Sequence, residues 1–190
     1  MMEQVKDAIT SFGEIVSGTV SSPSSRNFLN IIEEDKKLTE EMRDIFNSVT
    51  EKLRYLGKRA QPNIETKIDF LRTRVDRSDV DDQKKLKRVI TWLLKTINDT
   101  RIIGCDNLDS LFIWVNESYE ILYSMRIHTG VCISMGWGMI HAKHGKKQLN
   151  TKRSIEEEVV VLSDYLPYNI RLVSFMKEKG YEFNINKLYQ

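Results

Sequence analysis

The groupings with the types and spacing that chemistry requires are acidic runs and one dense basic segment. Glu156, Glu157 and Glu158 stand side by side just before an apolar-periodic run. Clustered carboxylates are the hard oxygen ligands that Mg²⁺ prefers. An acidic first turn is also what a helix dipole favours, and for the triplet by itself that structural reading prevails. Asp79, Asp81 and Asp82 precede another apolar stripe and suit N-capping. Lys143, His144, Lys146, Lys147, Lys152 and Arg153 form the densest basic cluster. Such a cluster can neutralise nucleic-acid phosphates, or it can be a solvated hairpin and helix entry. Lys84, Lys85, Lys87 and Arg88 lie on a helix whose other face is apolar and read as a solvated face. His141, His144 and Cys132 lack a recurrent ligand spacing, so ordinary packing is expected of them rather than a metal. Trp92, Trp114 and Trp137 sit in periodic or strand-like segments and are expected in the core. No GxGxxG or GxxxxGK nucleotide loop is present.

The elements that must position these groups follow from periodicity. The chain has 190 residues, 41% apolar, with a net charge of +2, enough for one domain or two small ones. It has no run long and apolar enough for a membrane span and no apolar leader. Cys105 and Cys132 read as reduced thiols, which suits a cytoplasmic or nuclear protein. Residues 1–35 are weakly patterned, and Ser21-Ser22-Pro23-Ser24-Ser25 suggests a flexible connection. Over residues 36–105 three apolar stripes recur at helical spacing. Phe46, Val49, Leu53 and Leu56 form the first; Ile64, Ile68, Leu71 and Val75 the second, opened by Pro62; Leu86, Val89, Ile90, Leu93, Leu94 and Ile97 the third. Three such helices with short joins should pack as a small bundle. Over 106–190 the β-formers take over. Leu111–Val115, Gly130–Met135 and Met139–Ala142 read as strands, and a helix from Ser154 follows, with Pro167 expected to kink or split it. Gly180 should end that helix, and Tyr181–Ile185 should form a fourth strand. The fold class is therefore α+β or α/β: a helical segment, then a βββαβ unit.

Several blocks carry a resemblance to copia-type retrotransposon polyproteins. Lys58-Arg59-Ala60-Gln61-Pro62-Asn63-Ile64 and Phe70-Leu71-Arg72-Thr73-Arg74-Val75 resemble the family's KRARPDI and FLxTRV. Asp81-Asp82-Gln83-Lys84-Lys85-Leu86 with Arg88-Val89 is similar to DDxxKLxRV. Trp114-Val115-Asn116-Glu117-Ser118-Tyr119 is similar to WVDASY, and Met125-Arg126-Ile127-His128-Thr129-Gly130 to MxxHTG. Lys147–Lys152 followed by Ser154–Glu158 corresponds to KQKLNTKSSTEAE. The blocks keep the family's order from about residue 36 onward.

The resemblance implies the end of a reverse transcriptase, thumb-like or connecting, followed by an incomplete RNase H-like domain. Intact RNase H enzymes cut the RNA strand of an RNA–DNA hybrid with two Mg²⁺ ions about 3.5–4 Å apart. In the family one carboxylate comes from the WVDAS strand, one from the last Glu of STEAE, and one from an Asp directly after the fourth strand. Here the first position is Asn116, which brings no charge, and the second is Glu158. Glu117 should face away from Asn116 unless the strand is bulged. No Asp occupies the third position, and Asp79-Val80-Asp81-Asp82 lacks the Tyr of the polymerase's Y-x-D-D hairpin. The expectation is a degenerate fragment without catalytic activity and without a competent Mg²⁺ site or other cofactor. Lys143, Lys146, Lys147, Lys152 and Arg153 are its candidate nucleic-acid contacts. Two alternatives stay open: a non-catalytic module that binds RNA–DNA hybrid or single strands, and an RNase H activity completed by another chain. An incomplete sheet should leave an exposed edge, and with it marginal stability or self-association.

Overall fold

The computed structural model describes residues 2–32, 35–100, 102–118, 128–146 and 154–189. The chain divides into two compact units, residues 1–100 and 101–190. The boundary falls where helical periodicity gives way to β-forming residues.

The first unit is helical. Helix α1 (Met2–Phe12) buries Val5, Ala8 and Phe12. Helix α2 (Glu40–Arg59) starts at Thr39, whose hydroxyl accepts the Met42 N–H, and it buries Phe46, Val49, Leu53 and Leu56. Pro62 opens a 3-10 turn (Pro62–Ile64) that leads into α3 (Glu65–Arg72), and a second such turn spans Val75–Arg77. Helix α4 (Val80–Lys95) buries Leu86, Val89, Ile90 and Leu93. The expected stripes thus face the core, and the second is broken into short pieces.

The N-terminal stretch differs from the flexible connection that its serines suggest. Phe12 and Phe28 are both buried, and the Phe28 ring lies 6.0 Å from that of Phe70. Glu14 accepts hydrogen bonds from Gln83 and Lys87, each at 2.9 Å. Phe12 continues the helical step of Val5 and Ala8, whereas Phe28 lies outside any periodic stripe, so its burial is not legible locally.

Asp79 performs the capping role expected of it. Its carboxylate accepts the Asp82 N–H at 2.9 Å, and its own N–H donates to Asp82 Oδ2 at 3.3 Å. Between them sits Arg74, with Nη2 3.0 Å from Asp79 and Nε 3.1 Å from Asp82. All three are almost fully buried. Burial works to raise the Asp79 carboxyl, but the Asp82 N–H and the charges of Arg74 and Lys37 hold it below its usual value. For Asp82 burial prevails, reinforced by the neighbouring Asp79 charge, and its carboxyl lies above the usual value despite Arg74.

The second unit is a four-stranded sheet in the order β3-β2-β1-β4 with helix α5, so the fold class is mixed α and β. Strands β1 (Ser110–Ser118), β2 (His128–Ser134) and β3 (Met139–Lys146) are antiparallel. Helix α5 (Ser154–Glu178) then leads to β4 (Ile185–Tyr189), which lies parallel beside β1. Leu111, Ile113, Val115, Val131, Ile133 and Met135 form one sheet face and pack with Val161 and Tyr165 of α5.

Two expectations fail here. Pro167 does not split α5. It lies on the exposed side of the helix, where solvent can bond the carbonyl that Pro leaves without an N–H partner. The fourth strand spans Ile185–Tyr189, later than Tyr181–Ile185. The chain first completes a Schellman turn: Gly180, at φ +86°, donates to Lys177 O, and Tyr181 donates to Met176 O. Asn184 Nδ2 then binds Asp109 at 3.1 Å and the Ile185 N–H donates to Asp109 O, so pairing begins only there.

Candidate functional site

Alternation along β1 decides what Asn116 faces. Leu111, Ile113 and Val115 are buried beneath α5, so Phe112, Trp114 and Asn116 belong to the opposite face. Asn116 is exposed and pairs with Gly130 of β2, which pairs in turn with His144 of β3. The β1–β2 register runs unbroken from Phe112 to Ser118, without a bulge. The parallel register of β4 ends at Tyr189, opposite Trp114 and close to the level of Asn116.

Of the other residues singled out, Glu158 lies in the N-terminal part of α5, and its side chain falls outside the described residues. So does the Lys146 side chain at the end of β3, while Lys147, Lys152 and Arg153 lie wholly outside them. Lys143 is described, and it is committed. Its Nζ donates to the Tyr168 hydroxyl and stands 4.5 Å from the centre of that ring. His141 also stacks on Tyr168, with ring centres 6.0 Å apart. Beside them Tyr165 Oη is 2.9 Å from Thr129 Oγ1, and burial holds the Tyr165 phenol above its usual value. The basic residue nearest the sheet thus helps to clamp α5. Among the described residues no group of three or more His, Cys, Asp or Glu gathers as a metal site, and no helix is long and apolar enough to cross a membrane.

Trp114 and Trp137 overturn the expectation of burial, while Trp92 is half-buried. Trp114 is 42% exposed and Trp137 is 63% exposed. Trp114 stacks on Tyr189 with ring centres 5.5 Å apart and an interplanar angle of 12°. Phe112 adds a third ring, 6.1 Å from Trp114. The described strand residues sharing this face by register include Cys132, Ala142, Ile185 and Lys187, and none is a carboxylate. Phe112 and Trp114 alternate with Leu111, Ile113 and Val115, so both faces of β1 are apolar in sequence. Only the position of α5 shows which one is left open.

Comparisons with protein-family models, with curated proteins and with solved structures find no match. The function therefore rests on the geometry and the motifs.

Proposed function

We propose that this chain is a fragment of a copia-type polyprotein, the end of a reverse transcriptase and the start of an RNase H-like domain, without nuclease or polymerase activity. The observation that carries the reading is Asn116 at the exposed end of β1, where the resembling family has an aspartate. An amide carbonyl brings no charge to a site that must hold two dications. The topology supports the assignment. Three antiparallel strands, a crossing helix and a fourth strand returning parallel beside the first are what the start of an RNase H-like domain requires. Asp79-Val80-Asp81-Asp82 opens α4 as a capping box tied to Arg74, a structural use of the carboxylates of Asp79 and Asp82. The deciding experiment is cleavage of a labelled RNA–DNA hybrid by the full chain in Mg²⁺ and in Mn²⁺, beside Glu158→Ala. Neither protein is expected to cut. Cleavage by the native chain that Glu158→Ala abolishes would overturn the reading.

A second reading, a non-catalytic nucleic-acid binder, is favoured by one observation. The Trp114–Tyr189 stack is open to solvent on a sheet face without described strand carboxylates. Aromatic side chains on open sheets stack single-stranded bases with little regard to sequence. Salt-dependent retention of a labelled oligonucleotide, lost in Trp114→Ala, is the outcome this reading requires.

A further inference from the structure

A cleft of about 450 Å³ opens between the 25–32 segment and α4 in the first unit, a size at which small ligands are held. The sequence pattern marks Lys84, Lys85 and Arg88 as a solvated helix face, but all three line this cleft. Lys85 is buried and already satisfied. Its Nζ is 2.7 Å from Asp81 and 2.5 Å from Asn30 O, and it sits 5.1 Å from the centre of the Phe70 ring. Asp81 is the one carboxylate among the described residues of the lining, and it is occupied by Lys85. Lys84 and Arg88 therefore keep their charges, and neither forms an ion pair with a described carboxylate. They stand one turn apart on α4, where like charges disfavour the helix. Arg88 Nε is buried without a hydrogen-bond partner among the described residues. Ser25 and Asn27 add neutral donors at the rim.

We propose that this cleft binds a phosphate group, with Arg88 and Lys84 as its cationic contacts. Two cations without a described carboxylate partner fit the charge of about −1.5 to −2 that a phosphate monoester carries at neutral pH, whereas a single carboxylate would match only one of them. Guanidinium nitrogens are suited in geometry to phosphate oxygens. The space leaves room for a substituent on that phosphate, as in a small phosphorylated molecule or a nucleic-acid strand. The inference does not depend on the function proposed above.

The test uses the full chain, inorganic pyrophosphate as probe, and titration calorimetry at low salt. One pyrophosphate should bind per chain and weaken as NaCl is added. Binding should fall about tenfold or more in Arg88→Gln and in Lys84→Gln. Lys84 is exposed, so Lys84→Gln keeps the measurement meaningful even if Arg88→Gln disturbs the fold, which circular dichroism would reveal. Lys179→Gln, in the other unit, should bind as the native chain does. Competition assigns the source. Displacement by a 5′-phosphorylated oligonucleotide alone marks a terminal phosphate, displacement also by the unphosphorylated strand marks the backbone, and displacement by neither marks a small molecule. Absence of pyrophosphate binding, or equal binding by all variants, would overturn the proposal. So would binding that emerges only in a Glu33→Gln, Glu34→Gln double variant, because the cleft would then be an internal ion-pair site.

Discussion

The two units solve the problem of burial in opposite ways. In residues 1–100 the helices cover one another, and even charged groups are enclosed, with Arg74, Asp79 and Asp82 joined in one buried network. In residues 101–190 one helix covers one face of a sheet, and the other face presents Trp114 and Tyr189 to solvent. A helix can bury its apolar stripe against any neighbour with a matching stripe, whereas a sheet with two apolar faces needs a cover on each. The difference teaches that stability and surface chemistry are divided between the units. The first encloses a charged network beside its apolar core, and the second leaves apolar groups exposed on one face.

The largest effect that would break this contrast lies in the buried network. Arg74→Met should destabilise the first unit by about 3–5 kcal/mol, because it removes the one buried cation between two buried carboxylates and leaves Asp79 only the exposed Lys37. Urea unfolding of the full chain, followed by probes in each unit, should show that loss only in residues 1–100. The pH dependence has a definite sign. Asp79, held below its usual value, contributes stability above the unfolded carboxylate value of about 3.9, and that contribution is lost as pH falls through its lower folded value. Asp82, raised, works the other way: its contribution is complete below the unfolded value and is lost as pH rises through its higher folded value. Asp79→Asn should therefore flatten the acid limb of the first unit's unfolding curve, and an unchanged limb would mean that Asp79 is not paired as described.

The contrast between the faces of β1 comes next in size. Ile113→Ala, beneath α5, should cost about 2–5 kcal/mol, whereas Trp114→Ala one residue later should cost only about 1 kcal/mol, the scale of one aromatic stack. Equal losses in thermal unfolding would mean that the open face is covered. The smallest effect is at Tyr165→Phe, which removes the hydrogen bond to Thr129 and should cost about 1 kcal/mol. No loss at all would show that this hydrogen bond contributes nothing to holding α5.

Much of this architecture can be read from particular residues. The apolar positions of α2 and α4 predict which faces are buried, because helical period and burial report the same geometry. Asp79 followed by Asp82 predicts a helix start, and Gly180 a helix end, because caps are local chemistry. Three strands, a helix and a strand were legible in order. Other features were not. Phe28 has no periodic neighbours, the delay of β4 depends on Asn184 meeting Asp109, and alternating apolar residues in β1 hide which side α5 will cover.

At the candidate sites the division is the same. The sequence by itself determined that the β1 position carries an amide rather than a carboxylate, and that lysines and arginine cluster on α4, because residue type and charge need no fold. Only the tertiary structure decided that Lys143 is tied to Tyr168, that Trp114 is open to solvent, and that Lys84 and Arg88 share a cleft while Lys85 is matched by Asp81. The physical reason is distance in the chain. A side chain's charge is its own, but its partners and its exposure are set by segments that only folding brings beside it.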